Sequence, residues 1–312
     1  MNDTKVILFC GSSLAIPVLR DLVFHGQVAA VVTPQHCAAF IEELNPFIKE
    51  TRIPFLLVNK RTLVEMVTAA ISKYQPSLGL VFTFSFRIPA EIYNKIEKGV
   101  FNVHPGPLPA YRGPDPIFQQ VKNGEPYAAV TIHKLDEGFD SGPVVMIDKI
   151  RLSVSDTYGI AAANIGKLAA RMVTTLMKMA EFGTAIPSRM QDEKHAAYFH
   201  RQAAADITIS WETMNATAIV ALINACNPWN KGAVTMLNNN IIRLVEARVD
   251  DTSTTNDAPG TIVSFDEIAV VIATITQCIS VRIVYCDEGF LLAARLQDFG
   301  VRPGHSFSFT QV

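Results

Sequence analysis

The chain has 312 residues, 49% of them hydrophobic and 18% charged, with a net charge of −2. That is the profile of a globular enzyme with room for two domains. No apolar run reaches the ~18 or more residues of a membrane span, and Met1 to Lys5 is too short and polar to open a secretory signal, so we expect a cytoplasmic protein without a membrane partner. Cys10, Cys37, Cys226, Cys278 and Cys286 form no C-x-x-C pair. Their odd count argues against a disulfide framework, and they read as small buried hydrophobes.

Lys5 to Phe9 is an apolar run ending in Cys10-Gly11-Ser12-Ser13, and Leu14 to His25 carries helical spacing: a strand, a tight turn and a helix. The turn lacks G-x-G-x-x-G, so a dinucleotide site has little support. It reads as β-to-α turn chemistry, although a helix N-terminus can also approach an anion. Gln27 to Thr33, Pro54 to Val58 and Leu78 to Phe84 read as strands, with helices at Glu42 to Thr51 and Leu63 to Tyr74 between them. This alternation predicts an α/β fold with a doubly wound, mostly parallel, Rossmann-like sheet, whose ligands bind beyond the carboxyl ends of the strands.

A fifth strand ends in Phe101-Asn102-Val103-His104. Side chains at i and i+2 share one strand face, so Asn102 and His104 look into one site. The following Pro105-Gly106-Pro107-Leu108-Pro109 cannot continue a central strand or a helix and leaves the sheet as a stiff loop. Further on stands Leu135 to Gly142, LDEGFDSG, with Asp140. An imidazole, a carboxamide and a carboxylate suit acyl transfer through a tetrahedral intermediate. No Ser or Cys is placed as a covalent nucleophile, which favours direct attack by the acceptor. The structural alternative is that His104 ends a strand and Asp140 stabilises a turn. Asp136, Glu137 and Asp140 lack the ligand count and spacing of a calcium loop, and no His or Cys cluster has zinc spacing, so no metal is expected.

Pro116 to Asn123 reads as a helix, Ala129 to Leu135 and Val144 to Ile150 as strands, and Thr157 to Phe182 as a long helix capped by Ser155 or Asp156. His133 lies within reach of the site, with a satisfied strand histidine as its plainer role. The expected boundaries are a catalytic domain over 1–183, a linker over 184–205 and a smaller domain over 206–312. The last holds a segment at Ile207 to Ser210, a helix at Asn215 to Ala225, and β-rich stretches at Ala233 to Leu237, Ile241 to Val249, Gly260 to Val263, Ile268 to Ile272 and Cys278 to Tyr285. Asp251 to Pro259 reads as a polar loop. From Asp206 onward six Lys and Arg stand against eleven Asp and Glu, the opposite of a domain built to grip a polyanion.

The stretch N-x-H-P-G-P-L-P-x-Y-R-G, followed by V-T-I-H-K-L-D-E-G-F-D-S-G-P, resembles the folate-dependent formyltransferases, whose usual form is N-x-H-x-S-L-L-P-x-x-x-G and then D-x-G-x-D-T-G. The resemblance implies catalytic roles for Asn102, His104 and Asp140, with 10-formyltetrahydrofolate as co-substrate. It places a folate-binding loop at Thr83 to Pro89, with Phe84, Phe86, Arg87 and Ile88. It also implies folate contacts at Gly106, Pro107, Leu108, Pro109, Asp136 and Gly138. Gly106-Pro107 stand where the family has Ser-Leu, a departure that reshapes the folate loop without touching the reacting groups, and Arg112 reads as a loop anchor. The C-terminal strands resemble the small OB-like open barrel of family members.

Two acceptors fit this resemblance. Asn227-Pro228-Trp229 is similar to the N-P-W-P segment of methionyl-tRNA formyltransferases. Against a charged tRNA stand the acidic second domain and the stretch after the second strand, where the tRNA enzymes carry a basic insertion and this chain has no Lys or Arg from Pro34 until Lys49. Thr83-Phe84-Ser85-Phe86 is similar to the F-S-F-Y-Y-R stretch of sugar-nucleotide formyltransferases, which favours a small amine such as a nucleotide-linked amino sugar. Hydrolysis of the co-substrate to formate would use the same trio. A folate-binding protein without catalysis would be expected to lose one of the three, and all are present. The sequence leaves the oligomeric state open.

Overall fold

The computed structural model describes residues 4–251 and 255–308. Residues 252–254 of the expected polar loop, and the first three of the Met1 to Lys5 segment, lie outside the described residues. The chain forms two compact units that are not colinear with it. One comprises Met1–Gly113, Ala128–Ile150 and Ala162–Phe199; the other comprises Pro114–Tyr127, Arg151–Ala161 and His200–Val312.

The first unit is built on strands β1 (Val6–Cys10), β2 (Val28–Pro34), β3 (Phe55–Val58), β4 (Leu78–Phe82), β5 (Val100–His104), β6 (Tyr127–Lys134) and β7 (Val144–Arg151), in the order β3-β2-β1-β4-β5-β6-β7. β1 to β5 pair in parallel, and β6 runs antiparallel to β5. Parallel strands covered on both faces are apolar throughout, and every residue of β1 and β4 is buried. Helices α1 (Ile16–Phe24), α2 (Ala38–Thr51), α3 (Leu63–Tyr74) and α4 (Ala90–Tyr93) provide the connections. In α3 the buried Leu63, Val67, Ala70 and Ile71 recur at helical spacing and join the cluster that includes Ile7, Phe9, Val32 and Val81. α2 begins four residues earlier than the sequence reading placed it, because Cys37 N–H donates to Pro34 O and turns the chain at once into the helix.

Helix α5 (Pro116–Lys122) starts at Pro116, with the Asp115 carboxylate accepting from Phe118 N at 3.5 Å, an N-cap with proline at the first helical position. The long helix α6 (Tyr158–Glu181) is capped by Thr157, whose Oγ1 accepts from Ile160 N at 3.4 Å. Ser155 and Asp156, the expected caps, instead join a turn in which Asp156 accepts from Ser153 N.

In the second unit, α7 (Ala216–Ala225) is capped by Asn215, whose Oδ1 accepts from Ala218 N at 2.8 Å, and it packs on the sheet strand β9. The sheet comprises β8 (Ala233–Leu237), β9 (Asn240–Asp250), β10 (Ile262–Phe265), β11 (Val270–Ala273), β12 (Cys278–Cys286), β13 (Gly289–Leu292) and β14 (Phe307–Ser308). Its order is β10-β11-β12-β9-β8-β14, with β13 on β12. The β9–β12 register shifts between Val281 and Val284, a bulge that bends the strand and curls the antiparallel sheet into an open, OB-like half-barrel. At the segment Ile207 to Ser210 a 3₁₀ turn over Ala204–Ile207 leads in, closed by Thr208 Oγ1 donating to Ala204 O and by Asp206 accepting from Ala203 N. An isolated bridge then joins Thr208 to Val234.

Among the described residues no helix is long and apolar enough to cross a membrane, and no group of three or more His, Cys, Asp or Glu is arranged to hold a metal ion. All five cysteines are free thiols.

Candidate active site

β5 is flanked by β4 and β6, so its carboxyl end brings Asn102 and His104 out on one face of the sheet. Its antiparallel register opposes Asn102 to His133 and His104 to Thr131. Asp140 arrives from the β6–β7 connection with its backbone in the left-handed region, φ +54°. Asn102 and His104, together with Asp140, therefore form one cluster, and His133 belongs to it as well.

The hydrogen bonds assign the protons. Tyr111 O and Lys134 O can only accept, so His104 Nε2 donates to the first at 2.6 Å and His133 Nδ1 donates to the second at 2.9 Å. Asn102 Nδ2 can only donate, so His133 Nε2 accepts from it at 3.1 Å. The other hydrogen of the Asn102 amide goes to Asp140 Oδ1, also at 3.1 Å. Both amide hydrogens are thus committed in this state, and donation from Asn102 to any further oxygen exchanges one of them.

His104 Nδ1 lies 3.5 Å from Asp140 Oδ1. Burial of the imidazole, which is only 3% exposed, pushes its pKa below the usual histidine value, and the Asp140 charge and Tyr111 O only partly offset this. The ring is neutral at neutral pH, with Nδ1 as its proton-accepting atom. For Asp140, burial works to raise the pKa but is outweighed by the neighbouring His133 and His104 imidazoles and by the Gly113 N–H at 3.0 Å, which together hold it at about 2. The cluster couples a neutral base to a fixed anion, so a proton taken up at Nδ1 creates an imidazolium between Asp140 and Tyr111 O.

Gly113 is required where it stands. Its φ is +116°, and a Cβ there would lie 2.0 Å from Phe199 O. Only glycine lets the chain pass this closely while aiming N–H at the carboxylate.

Beside the β4–α4 loop lies a cavity of about 630 Å³, lined by Phe86, Arg87, Ile88, Tyr93 and Phe139, with Lys60 and Glu137 among the polar groups. Arg87 closes one side: its Nη2 donates to Glu137 O and its guanidinium lies 5.7 Å from the centre of the Phe139 ring. Of the expected folate-binding residues, Phe86, Arg87 and Ile88 line this cavity. Phe84 packs against the core cluster, as Phe86 does, and lies edge-on to Phe9 and Phe86. Gly106 to Pro109 are tied to neighbouring backbone and β6, through Thr131 Oγ1 donating to Gly106 O, Leu108 N donating to Thr131 Oγ1, and Pro109 O accepting from Ala197 N. Asp136 accepts from Gly138 N and Ser141 Oγ and so shapes its own loop. The sequence reading omitted Lys60, Tyr93 and Phe139 from the site.

The profile described as "Formyl transferase" matches residues 19–176, just over half of the chain. The chain belongs to this family of formyl transferases. A second profile, "Formyl transferase, C-terminal domain", matches residues 203–295 of this formyl transferase. A methionyl-tRNA formyltransferase of Lachnospira eligens is 27% identical over 315 aligned residues, covering 97% of this chain and 95% of that one. Among solved structures, WlaRD, a sugar 3N-formyl transferase crystallised in the presence of dTDP and 5-N-formyl-THF, superposes with a TM-score of 0.69 at 16% identity, covering 90% of this chain and 98% of that one. HypX of Aquifex aeolicus gives 0.67 at 19% identity; 94% of this chain spans only 48% of that protein. At these identities the structural likenesses speak to the fold.

Proposed function

We propose that this formyl transferase takes its formyl group from 10-formyltetrahydrofolate and delivers it to a small primary amine, such as an amino sugar on a nucleotide. Asn102, His104 and Asp140 are the reacting groups in this reading. The observation that carries it is the pairing of a neutral, buried His104 with ionised Asp140 at 3.5 Å.

In the reaction the neutral amine attacks the formyl carbon, a C–N bond forms and the formyl oxygen becomes an oxyanion. The amine proton passes to His104 Nδ1, and Asp140 stabilises the imidazolium. The imidazolium and the Asn102 amide donate to the oxyanion, Asn102 by exchanging its bond to His133. Collapse of the tetrahedral adduct breaks the bond to the folate nitrogen, which takes the proton from His104 Nδ1 and leaves as tetrahydrofolate, returning His104 to its neutral form. Proton handling of this kind contributes about 10²–10⁴-fold, and a lost oxyanion donor costs on the order of 10²–10³-fold.

Folate as donor is supported by the aromatic and aliphatic wall of the 630 Å³ cavity, which suits a flat heterocycle, and by Lys60 and Arg87, which suit an anionic tail. WlaRD, with a formylated folate in its crystals, has the same fold. The small acceptor is favoured by the acidic C-terminal region and by the stretch without Lys or Arg between Pro34 and Lys49.

Methionyl-tRNA is the second reading, favoured by the Lachnospira eligens relative that aligns over nearly the whole chain. Tetrahydrofolate release measured with nucleotide-linked amino sugars and with methionyl-tRNA in parallel separates the two. Release with the tRNA alone overturns the small-amine reading, and release with no amine identifies a hydrolase.

A further inference from the structure

Asp140 carries a side chain at φ +54°, a conformation that residues with a Cβ hold only when their surroundings impose it. Gln191, in the segment that follows α6, bonds to that backbone. Its carboxamide N–H₂ donates to the carbonyl oxygens of Asp140 at 2.7 Å and Gly142 at 2.8 Å. Its Oε1 accepts from Arg112 Nε at 3.2 Å and Nη2 at 2.8 Å. The buried Arg112 also forks onto Glu193, Nη2 to Oε1 at 2.7 Å and Nη1 to Oε2 at 3.0 Å. The strand-like segment bearing both residues is pinned by paired backbone bonds between Arg189 and Val144 at 2.8 Å, and by Arg112 N donating to Ala197 O at 3.0 Å. Each hydrogen and the oxygen of the Gln191 carboxamide has a partner, and one of its two acceptors is the backbone carbonyl of the residue whose carboxylate faces His104.

We propose that Gln191, locked by the Arg112–Glu193 pair, is a positioning residue that sets where the Asp140 carboxylate meets His104. The inference rests on Asp140 and His104 being the reacting groups. A geometry error of about 1 Å at a reacting centre costs on the order of 10²-fold. A segment that only tied the chain together would leave the His104–Asp140 pair untouched.

The test uses the full-length protein and the variants Gln191→Met, which keeps the length of the side chain without its hydrogen bonds, Asp140→Asn, and the two combined. Two quantities are read: kcat with the best amine acceptor of the parent, and the titration midpoint of His104 by NMR, assigned by comparison with His104→Asn. His133, the other titratable group facing His104, is unchanged throughout.

The expected result is a fall in kcat of about 10-fold to 100-fold in Gln191→Met, with the KM for folate within twofold of the parent. The double variant turns over like Asp140→Asn alone. The His104 midpoint falls by about one unit in both single variants, because each removes the carboxylate from its place beside the ring. A parental midpoint in Gln191→Met, or losses that multiply in the double variant, overturns the proposal. If Asp140→Asn keeps parental turnover, the catalytic reading itself fails, while the His104 midpoint still reports whether Gln191 sets the carboxylate. Should Gln191→Met not fold, Arg112→Lys, which keeps the charge but loses the fork, is expected to give the same shift.

Discussion

The polar cluster at the end of β5 and the cavity beside the β4–α4 loop lie in the same compact unit, yet they are held by opposite means. In the cluster, Asn102, His104, His133 and Asp140 are fixed by directional hydrogen bonds, with a glycine and a left-handed aspartate completing the geometry. In the cavity, Phe86, Ile88, Tyr93 and Phe139 present aromatic and aliphatic surface, and Arg87 supplies one polar clasp. Directional bonds fix protons and charges to within tenths of an ångström, whereas apolar walls supply affinity that tolerates small shifts. The first region is therefore expected to govern turnover and the second to govern binding.

The sharpest break of that contrast comes from the cluster. His104→Ala or Asp140→Asn is expected to lower kcat by about 10²–10⁴-fold, with folate affinity by calorimetry within a few-fold of the parent. Comparable losses of affinity and turnover would mean that the cluster binds the folate rather than reacting with it. Asn102→Ala comes next, with a loss on the order of 10²–10³-fold in kcat; a change in KM alone would reassign Asn102 to binding.

Phe86→Ala tests the other region. Losing its edge-on contacts with Phe84 and His36, and its wall of the cavity, is expected to weaken folate binding about tenfold, on the order of 1.4 kcal/mol, with kcat within a few-fold. A large fall in kcat at saturating folate would erase the division between the two regions.

The smallest effect is in pH. Turnover requires neutral His104, whose pKa is depressed by burial, so kcat/KM should rise through a limb below the ordinary histidine value and then level off. Asp140 supports the protonated ring, so Asp140→Asn should move this limb to lower pH as well as lower the plateau. The carboxylate's own pKa of about 2 lies below its unfolded value. Its contribution to stability is thus complete above about pH 4 and is lost as pH falls towards 2.

What could be read from the sequence follows the range of the interactions. The α/β sheet was legible because buried parallel strands are continuous apolar runs and their helices repeat at 3.6 residues; the helix at Leu63–Tyr74 has the predicted limits. Asn102 and His104 could be paired because strand side chains alternate with period two. His133 was visible as a strand residue near the site, but its bond to Asn102 depends on the β5–β6 register, which one sequence does not fix. Phe84 and Phe86 share a parity and both pack against the core cluster, yet of the two it is Phe86 that also lines the cavity, a difference decided by packing. Gln191 left no signal, since it stands in a segment without periodicity and acts entirely through tertiary bonds. At the C-terminal end, β13 was missed because Gly289–Leu292 is a short run just past a tight turn.

The most direct test of the central claim is tetrahydrofolate release from 10-formyltetrahydrofolate by the parent and by Asp140→Asn, with nucleotide-linked amino sugars as acceptors. The account predicts release by the parent that depends on an amino sugar and a loss of about 10²-fold or more in the variant. Equal release by the two proteins would contradict it.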